Sequence, residues 1–219
     1  DPGRVLFYCG RAELYSKIER FDDALADYNK AIQVKPKDIT PYLHLAKLFE
    51  SAGKPDEALN NYNKAIEIEP AYVGLYLIRA RFLEKRGNDE QAQQDYDKAI
   101  QVLPKATGPY SERAEFYQRQ GGDKLNLALA DIRKVIELTP DKSDGYFKKG
   151  LILLDQKKYP EAATSFETAL TKKLDWWKTK VKPLMEFYLS WSQGLIAYHQ
   201  ADDLNKALTC FSQTRGYLA

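Results

Sequence analysis

The stretch "DDALADYNKAI" at residues 22–32 has the spacing of an amphipathic helix, and the chain contains two close copies of it. The copies are "DEALNNYNKAI" at 56–66 and "EQAQQDYDKAI" at 90–100. In the first stretch, Ala24, Tyr28 and Ala31 follow one another at spacings of four and three residues, which places them on one helical face. A helix that recurs in this way predicts a repeat protein.

Prolines set the period of the repeat. They stand 34, 34 and 36 residues apart, and each follows an apolar run that a proline would terminate. These prolines are Pro36, Pro70, Pro104 and Pro140. A fixed period of this size is typical of a solenoid, in which each unit packs only on its neighbours.

Alignment on the prolines reveals columns of small residues beside columns of large ones. The first small column is Ala12, Ala46, Ala80, Ala114, Gly150 and Gly194. The second small column is Ala24, Ala58, Ala92, Ala128, Ala162 and Ala207. The large column is Tyr28, Tyr62, Tyr96, Ile132, Phe166 and Phe211. Two helices joined by a short turn pack closely where one presents Ala or Gly to a bulky partner, so the columns predict helical hairpins.

These columns, the 34-residue period and an aromatic column near the repeat starts resemble the tetratricopeptide repeat family. The aromatic column is Tyr8, Tyr42, Tyr76, Tyr110 and Tyr146. The resemblance implies an all-α fold, a right-handed superhelical solenoid of about six helix-turn-helix repeats. We expect a single array over residues 1–219, with an irregular insertion at 172–186. The expected repeats are about 5–38, 39–72, 73–106, 107–142, 143–176 and 186–219.

Composition excludes several classes of protein. The formal charge of +2 gives no reason to expect a nucleic-acid or anionic-membrane partner. No apolar run approaches the roughly 18 residues of a membrane span. Cys9 and Cys210 lie at opposite ends of the chain, and two cysteines in a chain of this length do not make a disulfide framework or a metal site, so we interpret both as core thiols. Scarce cysteine and the absence of an Asn-x-Ser/Thr site favour a cytoplasmic location.

The sequence offers no catalytic pattern. The Gly121–Gly122 pair falls in a turn between helices, and His44 and His199 belong to different repeats without metal-ligand or triad spacing. We therefore predict a protein that is not an enzyme, with no cofactor, serving as a protein-protein interaction scaffold. Two alternatives stay open: a regulatory or substrate-presenting module of a larger enzyme, and a self-associating structural organiser.

The resemblance implies that the first helices of the repeats build a concave groove that binds a peptide or partner protein. The candidate groove residues are Leu43, Lys47, Glu50, Leu77, Arg81, Glu84, Ser111, Glu115, Arg119, Phe147, Leu151 and Trp191. The same spacing adds Cys9, Glu13, Lys17, Leu154, Leu195 and Tyr198. In one hypothesis Lys47 and Arg81 hold acidic groups of the partner while Leu43 and Leu77 take its apolar side chains. The alternative is that these charges belong to a solvated helix face.

The C-terminal part of the groove is apolar, and two interpretations of it remain. It could form a docking patch for a second copy or for a missing part of the chain, or segment 172–186 could fold over it and bury it. The residues concerned are Phe147, Leu151, Leu154, Trp191 and Tyr198. Segment 172–186, with five lysines beside Trp176 and Trp177, is itself either a basic-aromatic site or an extended helix that packs on its neighbours.

One family subtype can be compared directly. Members of the family that hold the acidic tails of chaperones use a clamp of Lys, Asn and Arg side chains in the first three repeats. The matching positions here are Cys9, Glu13, Lys47, Leu77 and Arg81. Only Arg81 fits, and Glu13 would repel a carboxylate, so the resemblance argues against chaperone C-terminal tails as partners.

Both ends of the array are apolar where a terminal repeat needs a polar outer face. The relevant stretches are "RVLFYCG" at 4–10 and "RGYLA" at 215–219. We expect either that the natural protein is longer or that a partner covers an end, and self-association through such an uncapped end is one way of covering it.

Overall fold

The computed structural model describes residues 2–172, 182–199 and 203–216, and these residues form helices joined by short turns. In chain order the helices are α1 Pro2–Lys17, α2 Phe21–Val34, α3 Ile39–Ser51, α4 Pro55–Ile68, α5 Val73–Lys85, α6 Asp89–Val102, α7 Thr107–Gln120, α8 Lys124–Leu138, α9 Ser143–Asp155, α10 Tyr159–Thr171, α11 Lys182–His199 and α12 Leu204–Gly216. No strand occurs in these ranges. The predicted all-α class is confirmed.

Consecutive helices pack in pairs, beginning with α1 against α2 and ending with α11 against α12. The chain divides into two compact halves, residues 1–103 and 104–219, and the described residues of each form three hairpins. The repeat boundaries expected from the sequence stay a prediction. Most of the expected insertion, residues 173–181 with both adjacent tryptophans, lies outside the described residues.

The small and large columns meet inside the hairpins. Ala12, Ala46 and Ala80 on the first helices have no exposed surface, and the tyrosines sixteen residues later, on the second helices, are almost completely buried. Each hairpin therefore places a large ring where its partner helix carries no bulk. Burying a side chain of this size stabilises the fold by about 1.5–3 kcal/mol, so this column supplies much of the apolar stabilisation of each hairpin.

Two repeats in the C-terminal half take the small–large packing further. In these repeats glycine replaces alanine and phenylalanine replaces tyrosine. A Cβ atom added at Gly150 would lie 2.4 Å from Cε1 of Phe166, and one added at Gly194 would lie 2.5 Å from Cε1 of Phe211. Both distances are far below van der Waals contact, so these rings occupy the space of the missing methyl group.

Ion pairs between a partly exposed arginine and a buried aspartate join the two helices of three hairpins. The pairs are Arg11–Asp27, Arg79–Asp95 and Arg113–Asp131. In the second pair, Nε and Nη2 of Arg79 donate to the two carboxylate oxygens of Asp95 at 2.7 and 2.6 Å. The second repeat has Leu45 and Asn61 at the equivalent positions. Both members of the ion pair are thus replaced at these positions, so no buried charge is left there without its partner.

Hydrogen bonding keeps the first of these carboxylates ionised. The bidentate contact from Arg11 holds the pKa of Asp27 below its usual range, against the opposing effect of burial. Since Asp27 is almost fully buried, the paired and ionised form is the one that the hairpin accommodates.

The aromatic column at the repeat starts ties repeats two to five to the proline turn before each of them. The hydroxyl of Tyr42 donates to the carbonyl oxygen of Pro36 at 3.1 Å, and the hydroxyl of Tyr76 donates to that of Pro70 at 2.9 Å. Tyr110 and Tyr146 make the same bond six residues back. The phenol therefore satisfies a carbonyl of the turn that follows the preceding helix.

We predict that Arg79→Leu lowers the free energy of unfolding by about 3 kcal/mol, because it leaves the buried Asp95 carboxylate without its partner. The double variant Arg79→Leu, Asp95→Asn copies the Leu45–Asn61 combination of the second repeat and should recover most of the loss. Urea unfolding followed by circular dichroism measures both. A double variant as unstable as the single one would contradict this account.

We predict that Gly150→Ala lowers the free energy of unfolding by about 2 kcal/mol, because the added methyl group overlaps the Phe166 ring. Gly10→Ala is the matched control, since nothing lies within 4 Å of a Cβ atom at that helical position. The control should raise stability by roughly 0.5–1 kcal/mol through the reduced backbone freedom of the unfolded chain. Thermal unfolding of the two variants should therefore shift in opposite directions.

Candidate partner-binding groove

The first helices of the second and third hairpins, α3 and α5, place several candidate residues in one surface depression of about 480 Å³. We call it the basic depression; it is lined by Lys47, Glu50, Tyr62, Ile78, Arg81, Phe82 and Lys85. Three of the predicted groove residues, Lys47, Glu50 and Arg81, are thus brought together. Lys85 was not among them, although it follows Arg81 by one helical turn, a spacing that could have identified it.

A second depression of about 260 Å³ shares Lys47 with the first. We call it the apolar depression; it is lined by Ile39, Thr40, Leu43, His44, Lys47 and Tyr72. Leu43 is half-buried, and the Tyr72 ring is exposed. The predicted Leu43 therefore lies beside apolar neighbours that the spacing argument did not select, because Ile39 and Tyr72 stand at helix starts.

The predicted acidic residues of α3 and α5 accept hydrogen bonds within their own hairpins. Glu50 accepts from the hydroxyl of Tyr62, and Glu84 accepts from the hydroxyl of Tyr96 at 3.2 Å. Burial and the bond to Glu50 raise the pKa of Tyr62, so its phenol stays protonated and continues to donate. Both carboxylates thus help to join the helices of a hairpin.

Apart from Glu50, which is bonded to Tyr62, the charged side chains that line the basic depression are cations. Lys47, Arg81 and Lys85 are exposed, and Glu50 is the one carboxylate in the described lining. His44 of the adjoining apolar depression adds no charge near neutral pH, because burial lowers its pKa. Its ring stacks on that of Tyr28, with 5.5 Å between the ring centroids. The lining can therefore hold an anionic group by charge-assisted hydrogen bonds.

Leu77 and the candidates of the first repeat have separate surroundings. Leu77 is half-buried on α5. Glu13 and Lys17 are exposed and form an ion pair with each other at 3.3 Å. Cys9 and Cys210 are buried, which confirms them as core thiols. Burial raises the pKa of Cys9 to about 11, so its thiol stays protonated at neutral pH.

In the C-terminal half, the charged candidates are engaged with one another. Nζ of Lys148 donates to Glu115 at 2.8 Å, and Arg119 lies 4.0 Å from the same carboxylate. Ser111, the third candidate on α7, is buried. These contacts join α7 to α9, so the charges already have protein partners.

The apolar candidates of the C-terminal half pack on other rings. Phe147 lies 5.8 Å from Phe166 and 5.9 Å from Tyr188, measured between ring centroids. Trp191, about two-fifths exposed, packs against Phe187 and Phe211. Leu151, Leu154 and Leu195 are half-buried, and Tyr198 is exposed.

Within the described part of the chain, no group of three or more His, Cys, Asp or Glu side chains is placed to hold a metal ion. None of the helices described there is long and apolar enough to cross a membrane.

Comparison with known proteins identifies the repeat. A family model described as tetratricopeptide repeat matches residues 5–38, and a second model of the same description matches residues 43–111 and 117–175. The chain belongs to the tetratricopeptide repeat family. The predicted resemblance and the all-α solenoid class are therefore confirmed. Tetratricopeptide proteins are generally interaction modules without catalytic activity, and they bind protein or peptide partners.

Solved structures with a similar fold come from several tetratricopeptide proteins. PilF of Pseudomonas aeruginosa superposes with a TM-score of 0.62 at 16% identity, covering 97% of this chain and 90% of that one. YrrB, described as a protein with an unusual peptide-binding site, gives 0.58 at 18% identity, covering 87% and 91%. Yeast Tom70 gives 0.68 at 20% identity, covering 92% of this chain and 42% of its own. At these identities the likeness shows the fold alone. Curated protein sequences contain no match.

We predict that Tyr62→Phe lowers the free energy of unfolding by about 1 kcal/mol, because the phenol no longer donates to Glu50. The combination with Glu50→Ala, which removes the acceptor, provides a double-mutant cycle. Since the two groups bond to each other, the loss in the double variant should be smaller than the sum of the two single losses. Additive losses in urea unfolding would show that the bond contributes nothing to the hairpin.

Proposed function

We propose that this tetratricopeptide array binds a partner through the first-helix surface of its N-terminal half. The ligand is an extended or helical segment that carries an acidic group next to an apolar side chain. The observation that carries the proposal is that Lys47 lines both the basic and the apolar depression. A ligand passing Lys47 would meet Arg81 and Lys85 on one side and Leu43 on the other.

Each depression supplies a different part of the binding free energy. The cations are exposed, so each ion pair with the ligand contributes at most about 1 kcal/mol and weakens as salt is added. Desolvation of an apolar side chain against Leu43, Ile39 and Tyr72 contributes more, at about 25 cal/mol per Å² buried. The apolar contact thus provides affinity, whereas the cations select acidic segments over basic ones.

The hydrogen bonds within the hairpins favour this choice of ligand. Tyr62 engages Glu50 and Tyr96 engages Glu84, so the predicted acidic groove residues of α3 and α5 each have a role in holding the fold. The basic residues of the same surface, Lys47 and Lys85, have no such structural role among the described contacts. YrrB shares the fold and is described as peptide-binding, which supports a peptide ligand by analogy.

The remaining candidates stay predictions. Ser111, Glu115, Arg119, Phe147, Leu151 and Trp191 belong to the C-terminal half, where contacts within the chain already engage most of them. Because these side chains are already engaged within the chain, we assign partner binding to the N-terminal half.

Selection from a random peptide library tests the proposal. The wild-type chain should enrich peptides that contain Asp or Glu near an aliphatic or aromatic residue. The variant Lys47→Glu, Arg81→Glu should lose those peptides. The matched control Lys37→Glu, Lys98→Glu makes the same change of charge at exposed positions outside both depressions and should retain them.

Synthetic versions of the enriched peptides then measure how much affinity each variant loses. We expect the groove variant to weaken their binding by about tenfold or more, measured by fluorescence anisotropy, and the control to change it by less than about threefold. Binding of the wild type should weaken with added salt. Enrichment of neutral or basic peptides, or equal losses in both variants, would contradict the proposal.

A further inference from the structure

One face of α1 carries large apolar side chains that are open to solvent. Phe7 is 58% exposed and Leu14 is 63% exposed. Their spacing of seven residues places both on the same side of the helix. Leu6 and Ile18 on α1 are also exposed. Large apolar side chains that are exposed on one helix face are typical of a contact surface.

The equivalent positions in the following repeats are covered. The equivalents of Phe7 in repeats two to five are Pro41, Leu75, Pro109 and Gly145, all buried. The equivalents of Leu14 are Leu48, Phe82, Phe116 and Ile152, all buried. The α1 face therefore has the composition of a contact between neighbouring repeats, yet no hairpin lies against it in the described structure.

The first two hairpins show what kind of element covers such a face. The second helix α2 packs on α3, and Leu25 and Ile32 of α2 lie against the core cluster that contains Leu45 and Leu48. Since Leu48 is the equivalent of Leu14, the element that fits the α1 face is a second helix with an apolar residue at the position of Leu25.

The other end of the array presents such a helix. Leu208 of α12 directly follows Ala207, just as Leu25 directly follows Ala24 of the same column. Leu208 is 64% exposed, whereas the residues at this position in the five preceding repeats are half-buried or buried. Those residues are Leu25, Leu59, Gln93, Leu129 and Ala163. The last second helix and the first helix of the chain thus expose the two complementary sides of one inter-repeat contact.

We propose that the array associates head to tail, with α12 of one copy packing on α1 of a second copy as α2 packs on α3. Leu208 then lies against Phe7 and Leu14 of the second copy. The contact is heterologous, because the two copies contribute different surfaces, so each added copy leaves a new end exposed. It involves neither depression and does not depend on the peptide-binding proposal.

Sedimentation velocity of the 219-residue chain over micromolar to millimolar concentrations tests this. The wild type should form oligomers that grow with concentration. Leu14→Glu and Leu208→Glu should each weaken association by about tenfold or more, because a carboxylate would be desolvated in an apolar contact. Leu127→Glu, at an exposed leucine on α8 that belongs to neither face, is the matched control and should associate like the wild type.

Mixing the two variants separates a head-to-tail contact from a symmetric one. The Leu14→Glu chain keeps its α12 face and the Leu208→Glu chain keeps its α1 face, so an equal mixture should form dimers that grow no further. Circular dichroism confirms that each variant is folded. A wild type that stays monomeric overturns the proposal. So does a Leu208→Glu variant that still dimerises, since that would show α1 packing on α1, and so does a mixture that stays monomeric.

Discussion

The rest of the structure depends on one packing constraint: a hairpin of two helices cannot cover both of its apolar faces. Each hairpin closes its own interior by placing a large ring against alanine or glycine, and Gly150 against Phe166 is the tightest case. The outer apolar face is left for the next hairpin, as α3 covers that of α2. The same constraint explains the period in the sequence and the exposed leucines and phenylalanine at α1 and α12.

Pairs of polar side chains that bond across a hairpin specify this packing further. Arg79 of the first helix donates two hydrogen bonds to Asp95 of the second helix in the third repeat. In the second repeat, Leu45 replaces the arginine and Asn61 replaces the aspartate. A buried carboxylate without its partner costs several kcal/mol, so the two residues of a pair have to change together. The tyrosine bonds to Glu50 and Glu84 form a second set, which the repeats with Ile132 and Phe166 lack.

These structural contacts also shape the binding surface. Because the carboxylates of α3 and α5 turn toward their own hairpins, the solvent side of the N-terminal half presents cations next to an apolar depression. In the C-terminal half, Lys148 pairs with Glu115, and the rings around Phe147 pack on one another. Repeats of the same design thus present different surfaces, since the residues outside the packing columns are free to vary.

The sequence alone determined the helical hairpins, their number and their class, because the proline period and the Ala, Gly and aromatic columns are local patterns that depend only on helix geometry. Spacing also placed Lys47 and Arg81 on first helices. Only the tertiary structure decided which residues meet across helices. Glu50 bonds Tyr62 from twelve residues away, Lys85 joins the lining, and Ser111 is buried, because such contacts depend on how side chains of different helices are oriented when the hairpins pack.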